Sequence, residues 1–291
     1  MEILFCFDER YEQHFGVSVT SLLINNFGEV SKIHIIIDKL SDNLKQKLDE
    51  ISQNYKVEVC IYKINIEEFY GLKVTAHASA ANYFRLLAAD VLPNTLNKIL
   101  YLDSDLVVNS SVDELFNLDI TNYPVAACGG KAITTKQRLQ LQGNYYFNSG
   151  VMLINLDYWR REEIGLKAIE FIRNYPEMIK YWDQDALNKI IDGNYINLDS
   201  RWNSLVDAYS NQSQVNQESV IIHFVGSLKP WQVWCMDTQK ELYWTYLKKS
   251  MWASSTPTFP KNSKQILSAI RYLTLFVIRS FNSSFRKLKH S

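Results

Sequence analysis

Between residues 2 and 102 short apolar runs alternate with amphipathic stretches, and few folds satisfy that rhythm. Residues 2–7 read as a buried strand ending at Asp8, and residues 14–26 as a helix with Phe15, Val19, Leu22 and Leu23 on one face. Lys32 to Ile37 is a second strand. Ser41 and Asp42 then open a helix whose Leu44, Leu48 and Ile51 recur at four and three residues. Val57 to Tyr62 is a third strand, 79–91 another helix, and Ile99 to Leu102 a fourth strand. Strand and helix alternating at this spacing predict an α/β fold, a mostly parallel sheet with helices on both faces. Ligands of such sheets bind outside the carboxyl ends of the strands, where loops leave the core.

Beyond about residue 110 the pattern is mixed. Ser111 with Glu114 reads as a capping box for a short helix. Val125 to Cys128, Val151 to Asn155 and Val220 to Phe224 read as strands, 157–174 as one amphipathic helix, and a further helix starts near Asp183 and stops before Gly193. The predicted catalytic domain spans residues 1–253. Residues 254–291 are predicted to be a linker, Ser254 to Pro260, followed by a basic tail. The four cysteines, Cys6, Cys60, Cys128 and Cys235, stand singly in or beside apolar runs and read as small buried hydrophobes of a reducing compartment. The chain opens at once on an apolar strand, without a basic n-region or a small-residue cleavage site, and has no run of eighteen apolar residues. It is therefore expected to be cytoplasmic.

The sharpest chemical signal is Asp103-Ser104-Asp105, directly after Lys98-Ile99-Leu100-Tyr101-Leu102. Two carboxylates at the mouth of a buried strand repel unless a cation or hydrogen bonds offset the repulsion. Residues i and i+2 of an extended chain point the same way, so both can reach one ion. Oxygen ligands suit Mg²⁺ or Mn²⁺, which keep positions open for substrate phosphates. A solvated turn bearing two acids is the alternative.

The apolar-Tyr-Leu-Asp-x-Asp pattern resembles glycosyltransferase family eight, whose members adopt the GT-A fold. Other blocks resemble it in the same order: Phe5-Cys6-Phe7-Asp8-Glu9-Arg10-Tyr11, Tyr83-Phe84-Arg85-Leu86, Tyr146-Phe147-Asn148-Ser149-Gly150-Val151, Asp183-Gln184-Asp185-Ala186-Leu187-Asn188, and His223-Phe224-Val225-Gly226-Ser227-Leu228-Lys229-Pro230-Trp231. The resemblance covers residues 1 to about 235 and is to bacterial retaining members that extend lipopolysaccharide or capsule chains with α-galactose or α-glucose. It implies that Asp103, Asp105 and His223 hold a metal ion, with Mn²⁺ favoured over Mg²⁺ because an imidazole joins two carboxylates. It further implies a donor site made by Cys6, Asp8, Tyr11, Arg85, Ser104, Asn148, Gly226 and Lys229. Asp8 would accept from the uracil imide, Tyr11 would stack on the base, and Lys229 and Arg85 would pair with the diphosphate. Asp183 and Asn148 would hold hydroxyls of the transferred hexose, and Gln184 would lie near the anomeric carbon, so that Asp183 and Gln184 are the expected catalytic pair. UDP-hexose is the implied donor and a saccharide, lipid-linked in membrane-bound pathways, the implied acceptor; no nucleic acid is expected as a partner.

One departure marks the acceptor side. Related galactosyltransferases carry an acid near the position of Gly129-Gly130, whereas no acid occurs here until Asp157, and the stretch Lys131 to Tyr145 is basic and glutamine-rich. Two other classes compete with a sugar transferase. A nucleotidyltransferase would need a Gly-rich phosphate loop after the first strand, which Phe7-Asp8-Glu9-Arg10 does not provide. A non-catalytic UDP-sugar-binding module would be expected to lack Asp103, Asp105 or His223.

The chain is formally neutral, but the charge is divided. After Glu241 there are nine Lys or Arg and no Asp or Glu, leaving 22 basic against 31 acidic residues before that point. Ile266, Leu267, Ile270, Leu273 and Val277 form a helical stripe with Lys264, Arg271, Arg279 and Arg286 around it, and Phe276, Phe281 and Phe285 add aromatic bulk. Residues 261–289 are thus predicted to form a basic amphipathic helix docking on the anionic inner face of the cell membrane, with packing on the catalytic domain as the alternative.

Overall fold

The computed structural model describes residues 1–72 and 80–288, with 280–288 described as helix backbone only. The first half folds as the alternation predicts: β1 (Glu2–Cys6), α1 (Glu12–Asn25), β2 (Lys32–Ile37), α2 (Asp42–Tyr55) and β3 (Glu58–Lys63). The N-cap of α2 is Ser41, whose side chain accepts the Leu44 N–H at 3.1 Å, and Leu44, Leu48 and Ile51 form its buried face. The helix predicted over 79–91, of which residue 79 lies outside the described residues, is broken into α3 (Ala81–Phe84) and α4 (Ala88–Val91) by a 3₁₀ turn at Arg85–Leu87. That turn is crossed at close range: a Cβ on Gly165 would stand 1.9 Å from the Leu86 carbonyl oxygen, so only glycine fits there.

There follow β4 (Lys98–Leu102), β5 (Leu106–Val108), α5 (Asp113–Phe116), β6 (Val125–Lys131), α6 (Ile133–Leu139), β7 (Tyr145–Asn155), α7 (Leu156–Arg161), α8 (Ile164–Asn174) and α9 (Trp182–Ile191). The expected capping box does not form. Ser111 accepts the Asp113 N–H, but Glu114 turns away to an ion pair with Arg201. The single helix expected over 157–174 is two helices, separated at Glu163, whose φ of 52° lies in the left-handed region. The remaining elements are β8 (Ile196–Asn197), β9 (Ser204–Asp207), β10 (Gln212–Ser213), β11 (Ile221–Phe224), α10 (Lys240–Leu247) and α11 (Ser263–Leu288).

Among the described residues a seven-stranded sheet runs β3-β2-β1-β4-β7-β6-β8, and a small sheet runs β10-β9-β11-β5. The large sheet is mostly parallel, with β7 antiparallel to both neighbours. Its strands alternate faces: Ile3, Phe5, Leu100, Leu102, Val151 and Leu153 join the core under α1 and α2. Leu4, Cys6, Ile99, Tyr101, Met152 and Ile154 join the core with Phe84 and Trp159. Both faces are buried, which is why these strands read as continuous apolar runs. Cys6 and Cys235 are buried as expected, whereas Cys60 and Cys128 are only partly so; all are free thiols.

Residues 254–260, expected to be a linker, are stitched to the preceding fold. Thr258 N–H donates to the Trp231 carbonyl at 2.8 Å, and Val233 N–H to the Thr258 carbonyl at 3.1 Å. Beyond it α11 rests on the domain by a narrow face. Ala269 and Tyr272 pack with Ala208, Leu228, Trp234 and Cys235, and Arg279 donates to the Tyr209 carbonyl at 3.1 Å. Ile266, Leu267, Ile270, Leu273 and Val277 remain exposed, Leu267 at 67%. The side chains of Phe281, Phe285 and Arg286 lie outside the described residues. No described helix is long and apolar enough to cross a membrane.

Candidate active site

The strand ends assemble the site. Asp8 and Tyr11 leave the carboxyl end of β1, Asp103 leaves β4 beside it, and antiparallel β7 brings Asn148, Ser149 and Gly150 alongside. Asp103 N–H donates to the Gly150 carbonyl at 2.8 Å. The small sheet supplies the rest: its register sets His223 opposite Leu106, and Phe224 N–H donates to the Asp105 carbonyl at 3.0 Å. A residue more than a hundred positions away thereby joins the two acids.

The acids face one ring nitrogen. His223 Nε2 lies 3.2 Å from Asp105 Oδ1 and 3.6 Å from Asp103 Oδ2. One ligand atom from each of the three residues falls within 4.8 Å of the others. Their other atoms are held from behind. Asp103 Oδ1 accepts from Tyr101 Oη at 2.6 Å and pairs with Arg85 at 2.8 Å. Asp105 Oδ2 pairs with Lys229 Nζ at 2.7 Å. Burial alone would raise the Asp105 carboxyl, but Lys229 and the His223 hydrogen bond outweigh it and hold the group well below the usual carboxylate range. Two ionised oxygens and an imidazole nitrogen converging at this spacing fit a divalent cation. Glycine at 150 permits the close packing of these groups: a Cβ there would stand 2.2 Å from His223 Cε1 and 2.6 Å from Asp103 Oδ2.

Arg85 does not line an open cleft. It is 5% exposed, pairs with Asp103 and Asp183 (3.3 Å), donates to the Ser149 carbonyl at 2.9 Å, and its guanidinium carbon sits 4.4 Å over the Tyr101 ring. Burial would lower its pKa, but the two acids push it higher. Asp183 also accepts from Ser149 Oγ at 2.9 Å, and burial raises its carboxyl to about 6 against the pull of Arg85. Cys6, buried near this cluster, has its thiol pushed up by burial. Ser104 Oγ is buried without a hydrogen-bond partner among the described residues.

At the other end Asp8 is forked by Arg10, at 3.2 Å to Nε and 2.9 Å to the terminal nitrogen, and caps the following turn through Arg10 N–H. The Tyr11 ring stands edge-on to His14 and Trp231, and the latter two are stacked at 3.5 Å. Gly226 adopts φ of 78°, which favours glycine there. Gln184 Oε1 accepts from Asn148 Nδ2 at 3.0 Å and from Ser149 N–H at 3.2 Å.

Tyr101, Asn203 and Asp185 take part although none was among the expected donor, metal or catalytic residues. Tyr101 stands two residues before Asp103 on the same strand side, a spacing that could have singled it out. Asn203, bonded to His223 and Asn148, had no such signal. Asp185 is fully buried, accepting from Arg138 at 2.8 and 2.9 Å, Tyr146 Oη at 2.7 Å and the backbone N–H groups of Lys180 and Tyr181. It thereby fixes the turn in which Trp182 takes a φ of 43° just ahead of Asp183. Within the basic stretch 131–145 Arg138 is committed inward to Asp185, whereas Lys136 meets the Gln142 carbonyl and Asn144 of the same stretch.

The chain and its fold have counterparts in known proteins. The chain is similar to the lipopolysaccharide 1,2-glucosyltransferase of Escherichia coli K12, at 27% identity over 94% of this chain and 87% of that one. It is similar to the lipopolysaccharide 1,3-galactosyltransferase of Salmonella typhimurium at 27% over 93% and 85%. A putative glycosyltransferase of Haemophilus influenzae is 32% identical over 81% of this chain and 74% of that one. In fold it matches galactosyltransferase LgtC, solved with donor and acceptor sugar analogs, with a TM-score of 0.78 at 24% identity over 86% and 96% of the two chains. The fold is thus GT-A. The sequence profile described as Glycosyl transferase family 8 matches residues 2–235, and the chain belongs to that family.

Proposed function

We propose that this glycosyltransferase moves a hexose, galactose or glucose, from a UDP-sugar to a saccharide acceptor of a bacterial surface polysaccharide, with retention at the anomeric carbon. The observation that carries the reading is the convergence of Asp103, Asp105 and His223 beside Lys229, at the strand mouth that also presents Asp8 and Tyr11. Bound there, Mn²⁺ would neutralise charge developing on the departing diphosphate. Lys229 adds a positive charge at the same end, and Asp8 supplies an acceptor suited to the uracil imide. Opposite them Asn148, Asp183 and Gln184 offer amide and carboxylate groups to sugar hydroxyls.

A double displacement needs a free carboxylate nucleophile. Gln184 is an amide, Asp183 is held by Arg85 and Ser149, and Asp185 is enclosed by Arg138, Tyr146 and two backbone N–H groups. This favours a front-face route. The bond from the anomeric carbon to the UDP oxygen breaks, the acceptor oxygen bonds on the same face, and the acceptor hydroxyl proton passes to the departing phosphate oxygen.

Incubation with a panel of UDP-sugars and Mn²⁺ is expected to release UDP from UDP-galactose or UDP-glucose. CDP should compete at least about tenfold less well than UDP, because cytosine lacks the imide donor that Asp8 would accept. Equal competition by CDP and UDP would count against the uridine assignment.

The exposed stripe of α11, in a segment without acids, supports a peripheral site on anionic membrane. Since Leu267, Ile270, Leu273 and Val277 face outward, replacing all four with serine removes little of the protein's core. The substituted protein should keep its melting temperature and its activity on soluble acceptors. Its co-sedimentation with anionic vesicles should fall at least about tenfold. A full-length chain that ignores such vesicles at low salt would sink the membrane reading.

A further inference from the structure

A line of side-chain amides runs from Gln184 to His223, and backbone donors fix its orientation. Gly150 N–H donates to Asn148 Oδ1 at 3.0 Å, and Ser149 N–H donates to Gln184 Oε1 at 3.2 Å. A backbone N–H can only donate, so both atoms are acceptors and neither amide can be flipped. Asn148 Nδ2 therefore donates to Gln184 Oε1 at 3.0 Å, and Asn203 Nδ2 donates to Asn148 Oδ1 at 2.8 Å. With its nitrogen committed, Asn203 turns Oδ1 to the other side, 3.0 Å from His223 Nδ1. Two facing acceptors would repel, so Nδ1 carries the hydrogen. With Nδ1 committed to Asn203, Nε2 is the nitrogen left to face the space shared with Asp105 and Asp103, 3.2 Å from Asp105 Oδ1, where a cation would bind it. Asn203 is 1% exposed and His223 3%, so water does not satisfy either group in its place.

We propose that Asn203 is a positioning residue of the metal corner: it sets the His223 tautomer and ring orientation for a divalent ion and, through Asn148, ties that corner to Gln184. Metal-ligating histidines commonly donate their second N–H to an oxygen that fixes the ring. Here that oxygen belongs to an amide whose other end reaches the sugar side, so one residue serves both halves of the site. The inference rests on the metal-dependent transfer reading given above.

The test measures Mn²⁺ binding by full-length protein, read from the paramagnetic resonance signal of the free ion, beside turnover and melting temperature. Asn203→Ala removes the oxygen and should weaken Mn²⁺ binding roughly 10- to 100-fold. Asn203→Asp keeps an oxygen for Nδ1–H but has no amide donor for Asn148. It should hold Mn²⁺ within about threefold of the parent while turnover falls at least about tenfold. A purely structural residue would not divide the two readouts. Parental Mn²⁺ affinity in folded Asn203→Ala would overturn the proposal, as would equal losses of affinity in both variants alongside matched falls in melting temperature. If the alanine variant does not fold, the aspartate variant alone decides, on retained metal and lost turnover. A parent protein that binds no Mn²⁺ before any substitution would instead sink the metal-dependent reading, and this proposal with it.

Discussion

Asp103→Asn is expected to lower sugar transfer by roughly a thousandfold while leaving the fold in place. The change is isosteric. Asparagine can still accept from Tyr101 Oη, and Arg85 keeps Asp183, the Ser149 carbonyl and the Tyr101 ring. On the proposed reading, what is lost is one of the two anionic ligands of a three-residue corner, and with it charge that would hold a cation against a diphosphate. His223→Ala should lose turnover on the same scale by removing the nitrogen ligand. Chelation of the parent protein should reproduce both results and be reversed by Mn²⁺. A chelator-stripped parent that transfers sugar at its full rate would show the corner to be structural.

The second large effect concerns stability. Arg85→Met removes the cation between Asp103 and Asp183, both of which it contacts from a buried position. Breaking one side of a buried ion pair costs about 3–5 kcal/mol, because the remaining charge stays buried without its counter-ion. In metal-free buffer at pH 8 this should lower the melting temperature on the order of 10 °C. The pH dependence has a definite sign. The Asp183 carboxyl is raised to about 6 by burial even with Arg85 opposing, against about 3.9 in an unfolded chain. A raised acid favours folding below its unfolded value, and that contribution is lost as pH rises through its folded value. Removing Arg85 raises the carboxyl further. The gap between variant and parent should therefore be wide at pH 8 and narrow at pH 5. Melting curves at the two pH values test this; a gap that widens on acidification would show that Asp183 is not the group left unpaired.

The central strands of the parallel half were legible because both of their faces are buried, so they read as nearly unbroken apolar runs such as Ile3 to Phe7. The helix breaks at 85–87 and 163 were not. Periodicity continues across them, and the interruption comes from the close approach of Gly165 to the Leu86 carbonyl and from a left-handed Glu163. The capping-box pattern at Ser111 lost its second half because Glu114 found Arg201, a partner 87 residues away.

The site divides in the same manner. The sequence by itself determined the chemistry: acids two apart at a strand mouth, a histidine and lysine at fixed spacing, and an amide between two acids, each written in a few consecutive residues. Only the tertiary structure decided how those groups are committed. Arg85 and Lys229 are each bound to acids of the site, Arg138 is bound to Asp185, and Asn203 enters at all because the small sheet pairs Leu205 with His223. Side-chain identity is local, whereas the partner that fixes a side chain's orientation, and the dielectric in which the pair interacts, come from segments distant in sequence.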